Sequence, residues 1–411
     1  MIGVDTPVAS TTCLVAGGGP AGMMLALLLA RAGIDVTVME KHADFLRDFR
    51  GDTVHASTLR LLDELGLGPA FAALPHRLID SIDARVQGSA LSFDLSGLPG
   101  RHQHIALVPQ WDFLELLATA AEREPRFRLL RSTEVLAPVR SGGRVTGVRY
   151  RGADGTVAEM SAHLTVACDG RSSTLRAAAG LVPRDFGAPM DVWWFRLSRR
   201  PGDPHGLNGV FASGHGCAVI DRGDYFQIAY MIRKGTDDEI RAEGIDVLRR
   251  QLGELLPWLA DRTDELRTFD DVKLLDVQLN RLRRWYVDGL LCIGDAAHAM
   301  SPIGGVGINL AVADAVAAAR LLAEPLLNRA VTTSELARVQ RRRWLPTAIV
   351  QRVQRTLQNR AVAPAISADA APSQNPRVIG LANRFPALRA VAAYGVAIGP
   401  LPEHAPAFAR R

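Results

Sequence analysis

The run Gly294-Asp295-Ala296-Ala297-His298-Ala299-Met300-Ser301-Pro302-Ile303-Gly304-Gly305-Val306-Gly307-Ile308-Asn309 gathers residue types suited to holding a polar ring system. Asp295 follows the apolar stretch Leu290 to Ile293, so its carboxylate stands at the end of a buried strand, where α/β folds place their ligands. There it can accept a hydrogen bond from a sugar-type hydroxyl. Gly304, Gly305 and Gly307 let backbone lie flat against a ring, and a helix beginning near Asn309 turns its positive end toward that loop. Amides so placed stabilise negative charge on the ring. His298 reads as a packed, hydrogen-bonded histidine rather than a base.

Near the other end of the chain, Gly17, Gly19 and Gly22 form GxGxxG, with Pro20 and Ala21 inside the turn. The first glycine permits the tight turn, the second lets backbone approach a pyrophosphate, and the third allows close helix packing. Glu40 ends the next strand, with Lys41 after it, and can accept both hydroxyls of an adenosine ribose. That unit alone does not separate FAD from NAD. Taken with the late glycine run, the two pieces read as the ends of one stretched FAD.

A third element lies between them, Cys168-Asp169-Gly170-Arg171-Ser172-Ser173-Thr174-Leu175-Arg176. With GxGxxG plus Glu40, this Asp-Gly run and Gly294-Asp295, in this order and spacing, the chain resembles the class A flavoprotein monooxygenases, the para-hydroxybenzoate hydroxylase group. The resemblance covers residues 11 to about 325. It implies a glutathione-reductase-type FAD-binding Rossmann domain with an inserted antiparallel-sheet substrate lobe and a C-terminal helical region. By position it assigns Arg50 and Gln110 to the FAD diphosphate and ribityl region. Asp169 would bind FAD and help NADH or NADPH dock, with a helix cap as its alternative role. Pro302 would line the pocket over the flavin C4a position, and the backbone from Gly307 through Ile308 to Asn309 would meet the pyrimidine edge. NAD(P)H would be a transient co-substrate, since no second GxGxxG is present. The implied reaction inserts one atom of O2 into an aromatic or polyketide-like molecule through a flavin C4a-hydroperoxide. The alternatives are a flavin reductase of prenyl or quinone-like substrates and a non-catalytic flavin-binding protein.

The elements that must position these groups can be read from patterning. Thr12 to Ala16, Val36 to Met39, His163 to Cys168 and Leu290 to Ile293 predict short buried strands, and Gly22 to Ala32 a helix. Further helices are expected at Thr58 to Leu65, Trp111 to Glu122 and Asp237 to Leu252, and a hairpin over Arg144 to Glu159. Asp191 to Leu197, Cys217 to Asp221, Tyr225 to Ile232 and Val272 to Leu279 predict the antiparallel lobe, the middle two joined across Arg222-Gly223. The expected division is residues 1–181 and 286–325 for the FAD-binding domain, 182–285 for the β-rich insertion and 326–411 for the C-terminal helical region, with breaks near Pro325 and Pro346. Period-2 alternation puts Trp193, Phe195 and Leu197 on one side and Trp194 and Arg196 on the other. Arg196, Gln227 and Tyr225 are the candidate substrate-facing residues.

Composition excludes more than it assigns. The formal charge is +5, but basic residues are scattered except for Arg341-Arg342-Arg343, which reads as a solvated helix face, so no nucleic-acid partner is expected. The four cysteines show no metal spacing or disulfide framework, which suits a reducing cytoplasm. Neither a leader nor a membrane span is expected from the N-terminal pattern.

Overall fold

The computed structural model describes residues 9–46, 53–86, 89–212, 214–367 and 386–411. Its frame is an eight-stranded sheet. The strands run in the order Tyr286–Val287, Leu290–Cys292, Val157–Ala167, Ala9–Ala16, Val36–Met39 and Phe127–Leu130, with Arg144–Arg151 paired antiparallel to Val157–Ala167 and Glu134–Ser141 paired antiparallel to Arg144–Arg151. The central four pairings are parallel. Cys13, Leu14, Val15 and Ala16 are all fully buried, as an apolar strand covered on both faces must be.

Two helices cover one region of that sheet. Pro20–Arg31 begins with proline at its first turn, where the missing N–H costs nothing, and nearly every residue is buried. It packs against Gly307–Leu327, an alanine-rich helix whose small side chains allow close approach. The apolar segment Ile303–Leu327 is long enough to cross a membrane, but 72% of its most apolar window is buried inside the protein.

The second sheet has seven strands, in the order Lys273–Leu275, Met190–Ser198, Tyr225–Arg233, His215–Asp221, Leu207–Ala212, Ser81–Val86 and Ser89–Asp94. The last two come from the first 181 residues, so this sheet is not made by 182–285 alone. Ser81–Val86 adds in parallel to the edge of Leu207–Ala212, a long-range pairing that satisfies an otherwise open edge. One face of the sheet carries Trp193, Phe195, Leu197, Phe226 and Ile228 and packs on the helix Ile245–Leu255. The opposite face carries Trp194 and Ala229, which are directly paired, along with Ala218 and Met231.

Several elements depart from their patterning. The helix expected over Asp237 to Leu252 is two helices, Asp237–Glu243 and Ile245–Leu255, because Gly244 takes φ +92 between them. The strand expected to Leu279 stops at Leu275. Beyond it the Val277 amide donates to the Asp191 carboxylate at 2.9 Å instead of to a neighbouring strand. Pro325 lies in the last turn of its helix, but Thr333–Leu357 runs straight through Pro346. Buried Arg343, Pro346, Thr347, Gln351 and Gln354 hold that helix by tertiary packing and side-chain bonds.

The C-terminal residues strap the frame. Glu403 is buried and binds Arg320 at 2.8 Å, Arg342 at 2.8 Å and Arg343 at 3.5 Å. Arg343 is only 1% exposed, so the expectation of a solvated face holds for exposed Arg341 and Arg342 but fails for the third arginine of the triplet.

Candidate functional site

The three motifs meet at the C-terminal ends of the parallel strands. Gly17 has φ +102, and a Cβ there would lie 2.5 Å from the Cys168 carbonyl oxygen. A Cβ on Gly22 would lie 2.0 Å from the Gly17 oxygen. Both positions therefore require glycine for packing. Gly19, the N-cap of the first helix, has nothing within 4 Å of its Cβ position, so its backbone is open to a ligand at a helix N-terminus. Gly294, with φ +59, would place a Cβ 3.1 Å from Ala21, which brings the late motif against the early turn.

Glu40 follows Val36–Met39 and is 7% exposed. Its Oε2 accepts from the Gly18 amide at 2.8 Å and its Oε1 from the His42 amide at 3.1 Å. A carboxylate in this place is the acceptor type suited to ribose hydroxyls. Lys41 is exposed just beyond, and Gln110 opens the helix Gln110–Glu122. Arg50 lies outside the described residues.

Asp169 takes the alternative role expected of it, that of a helix cap. Its Oδ2 caps the helix Thr174–Ala178 by accepting from the Leu175 amide at 3.2 Å, while Oδ1 is buried with no hydrogen-bond partner. Burial pushes this carboxyl up from the usual range. Asp295 is partly exposed and lies 3.6 Å from the Arg171 guanidinium. An orphaned buried oxygen, two carboxylates and open glycine backbone fit the hydroxyl-rich chain and phosphates of FAD.

The late loop is locked from outside its own sequence. Gly305 has φ +60, and its carbonyl accepts from Thr53 Oγ1 at 2.7 Å. The Asn309 Oδ1 accepts from the His55 amide at 2.9 Å and Thr58 Oγ1 at 2.7 Å, while Nδ2 donates to Thr53 O at 3.2 Å. With that side chain consumed, only backbone remains for a ligand, and Gly307 has nothing within 4 Å of its Cβ position. Ile308 is buried, whereas Pro302 is half-buried at the rim of the loop.

Beneath the loop lies a buried charge cluster that sequence patterning did not single out. Asp314 Oδ2 accepts from His298 Nε2 at 2.6 Å and from the Gly294 amide at 3.1 Å, and Oδ1 from Arg343 Nε at 3.0 Å. Burial alone would push the Asp314 carboxyl up. His298 and Arg343 outweigh that and hold it below the usual carboxylate range. His298 is thus a packed, bonded residue. The available signal was Asp314 itself, a carboxylate set among alanines in the apolar part of its helix, which must be paired if buried.

The three substrate-facing candidates do share one sheet face, but they sit at its far end. Arg196 pairs with Gln227 across the strands, and its guanidinium lies 4.9 Å from the Tyr225 ring centroid. Gln227 is buried, and its Oε1 accepts from Arg222 Nε at 3.0 Å. The residues that meet the late loop are at the other end: Ile303 packs with Met231 and Phe211 against Met190, Val362 and Ile366. Six residues separate Tyr225 from Met231, roughly 20 Å along a strand. Between those ends Trp194 packs against two apolar clusters with its Nε1 buried and unpartnered.

A family described as "FAD binding domain" matches residues 10–353. The chain is 35% identical over 390 residues to 6-methylpretetramide 4-monooxygenase of Streptomyces rimosus, covering 93% of this chain and 91% of that one. It is 31% identical over 325 residues to 12-dehydrotetracycline 5-monooxygenase/anhydrotetracycline 6-monooxygenase from the same species, covering 74% of this chain and 60% of that one. The fold is similar to that of p-nitrophenol 4-monooxygenase from Pseudomonas putida, with TM-score 0.74, 20% identity and coverage of 94% and 97%.

Proposed function

Because the chain belongs to the FAD binding domain family, as an FAD-dependent oxidoreductase of the monooxygenase type, we propose that it hydroxylates a fused-ring aromatic of polyketide character. The observation that carries this is the apolar cluster joining Ile303 of the late loop to Met231 and Phe211 of the second sheet. It puts an oil-like wall next to the backbone that would lie along the flavin ring. The seven-stranded sheet, including its 81–94 hairpin, is assigned to the substrate side.

When bound, FAD would supply hydride acceptance from NAD(P)H and activation of O2. The protein's share is orientation and exclusion of water. Gly19 backbone and the helix N-terminus behind it would hold the diphosphate, Glu40 the adenosine ribose, and Asp295 with Asp169 the hydroxyl chain. Ala218 and Ala229 keep the sheet floor low enough for a flat multi-ring molecule, and Met231, an adaptable side chain, fits itself to one edge. Trp194 Nε1 is left to donate to an oxygen on that molecule.

The test is oxygen accounting. FAD-loaded protein is mixed with NADH or NADPH and a panel of multi-ring phenols under labelled O2. The expected result is substrate-stimulated NAD(P)H oxidation with one labelled oxygen in the product. Hydrogen peroxide equal to all the O2 consumed, for every phenol tried, would overturn the reading.

A further inference from the structure

Three arginines gather around one phenylalanine. The guanidinium carbons of Arg184, Arg281 and Arg355 lie 5.5, 5.4 and 4.9 Å from the Phe186 ring centroid. Among the described residues, none of the three has a carboxylate within 4 Å. Arg184 and Arg281 stand directly opposite each other on the paired strands Pro183–Asp185 and Asn280–Leu282, an arrangement that like charges disfavour. Arg281 donates only to a neutral group, Gln351 Oε1 at 3.0 Å, and Arg355 Nε is buried without a partner. Burial, and then the charges of Arg184 and Arg355, weaken the hold of Arg281 on its proton. Arg281 also lies 4.7 Å from the ring centroid of Trp344, which is 40% exposed.

The cluster adjoins the late loop. Asn280 N donates to Ala299 O at 3.2 Å, and Gln351 Nε2 donates to the same oxygen at 3.1 Å. Phe186 packs on the buried group that contains Met300, two residues before Pro302. The chain has one GxGxxG turn, and FAD would occupy it. A second dinucleotide needs its diphosphate held by side chains, and planar guanidinium groups are the side chains best matched to phosphate oxygens.

We propose that Arg184, Arg281 and Arg355 form the seat for the phosphates of the nicotinamide dinucleotide that delivers hydride to the flavin. This rests on the functional reading above for the identity of the ligand. Arg–phosphate bonds balance the three positive charges, and the exposed Trp344 ring offers a stacking surface to the adenine. When bound there, the reduced dinucleotide would supply the hydride that FAD accepts.

The experiment uses FAD-loaded protein and the double variant R184Q/R355Q, with both side chains kept long and polar so that packing on Phe186 survives. Inorganic pyrophosphate, NADH and NADPH are titrated by calorimetry without oxygen, and flavin reduction is followed in a stopped-flow instrument. Loss of two charge-assisted phosphate contacts is expected to raise the dissociation constants for pyrophosphate and for the reduced dinucleotide by about tenfold or more. FAD content and the unfolding temperature serve to show that the variant is folded. Should the variant misfold, the single R184Q, at an exposed position, is expected to give a smaller rise in the same constants. Unchanged constants in the folded variants overturn the proposal, as does a rise only in the KM of an anionic aromatic substrate. Wild-type protein that binds pyrophosphate through these arginines but is reduced by neither dinucleotide would leave the phosphate seat standing and sink the functional reading.

Discussion

Replacing Asp314 by asparagine tests whether the buried charges shape the cofactor loop. Asp314 accepts three hydrogen bonds, from Gly294, His298 and Arg343, and is fully buried. Asparagine has the same outline but one oxygen, and its amide group would face a donor, so at least one of the three goes unmet. Arg343 would also lose its fully buried counter-charge, keeping Glu403 at 3.5 Å and the Leu401 carbonyl at 3.3 Å. Breaking a buried pair costs about 3–5 kcal/mol, and the surviving Glu403 contact sets the expectation at the lower end, about 3 kcal/mol. An unfolding entropy of about 2.1 cal/mol/K per residue makes this a fall in Tm of roughly 3–4 °C for a chain of this length. The same change releases the Gly294 amide next to Asp295, so FAD affinity should fall on the order of tenfold. Scanning calorimetry with and without FAD, plus a fluorescence titration of FAD, reads both effects. The sign with pH follows from the depressed Asp314 carboxyl: its stabilisation is present above the ordinary carboxylate range and disappears as pH falls below it, so the difference in Tm narrows in acid. A variant whose Tm stays within about 1 °C of wild type, with unchanged FAD affinity, would refute the reasoning.

Asp295→Ala removes a carboxylate assigned to the hydroxyl chain of FAD, and losing a charged hydrogen bond should weaken FAD binding by about 10- to 100-fold in a fluorescence titration; normal affinity would remove Asp295 from the site. His55 offers a separate pH test. It is fully buried, Nδ1 donates to Val396 O at 2.7 Å, and burial lowers its pKa from 6.5 to about 4. Between those values the unfolded chain binds a proton that the folded chain refuses, so stability falls as pH drops from 6.5 toward 4, by about 3 kcal/mol in all. Urea unfolding of His55→Gln should lose that share of the slope, and a slope identical to wild type would count against a neutral, buried His55.

The parts of this molecule legible in the sequence are those where one residue type has one local reason to be present. The glycine at 22 answers to a close backbone contact within a single strand–turn–helix unit, the glycine at 17 to the positive φ of that same turn, and buried parallel strands announce themselves as unbroken apolar runs. What was not legible depends on partners far along the chain. The 81–94 hairpin joins a sheet strand more than a hundred residues away, and no local pattern encodes that choice. Arg343 looks like its two solvated neighbours until Asp314 and Glu403, from different elements, are seen to enclose it. Alternation along the strands puts Tyr225 and Gln227 on one face and Arg196 with Trp194, and the pairing of Arg196 with Gln227 brings them onto a common face. Alternation identifies a face, however, and not which end of the face meets the loop.

The same distinction explains how the late loop acquires one shape. Glycine at 304 and 305 makes the left-handed turns at φ +80 and +60 available, but it makes many other shapes equally available. Selection comes from outside. Thr53 ties the Gly305 carbonyl, Asn309 reaches back to the Thr53 carbonyl, and the His55 amide and Thr58 hydroxyl complete the Asn309 side chain. A Cβ on Gly305 would lie 2.2 Å from Thr53 Oγ1, so the anchor fits only where the side chain is absent, whereas a Cβ on Gly304 meets nothing nearer than Val306 at 3.7 Å. Conformational freedom and tertiary anchoring therefore act on the same residue for opposite ends. The freedom admits the shape a flat ring needs, and bonds from a segment some 250 residues earlier remove the alternatives before any ligand arrives. A ring that binds such a loop has little left to order, which is the energetic case for building the site from two distant ends of one chain.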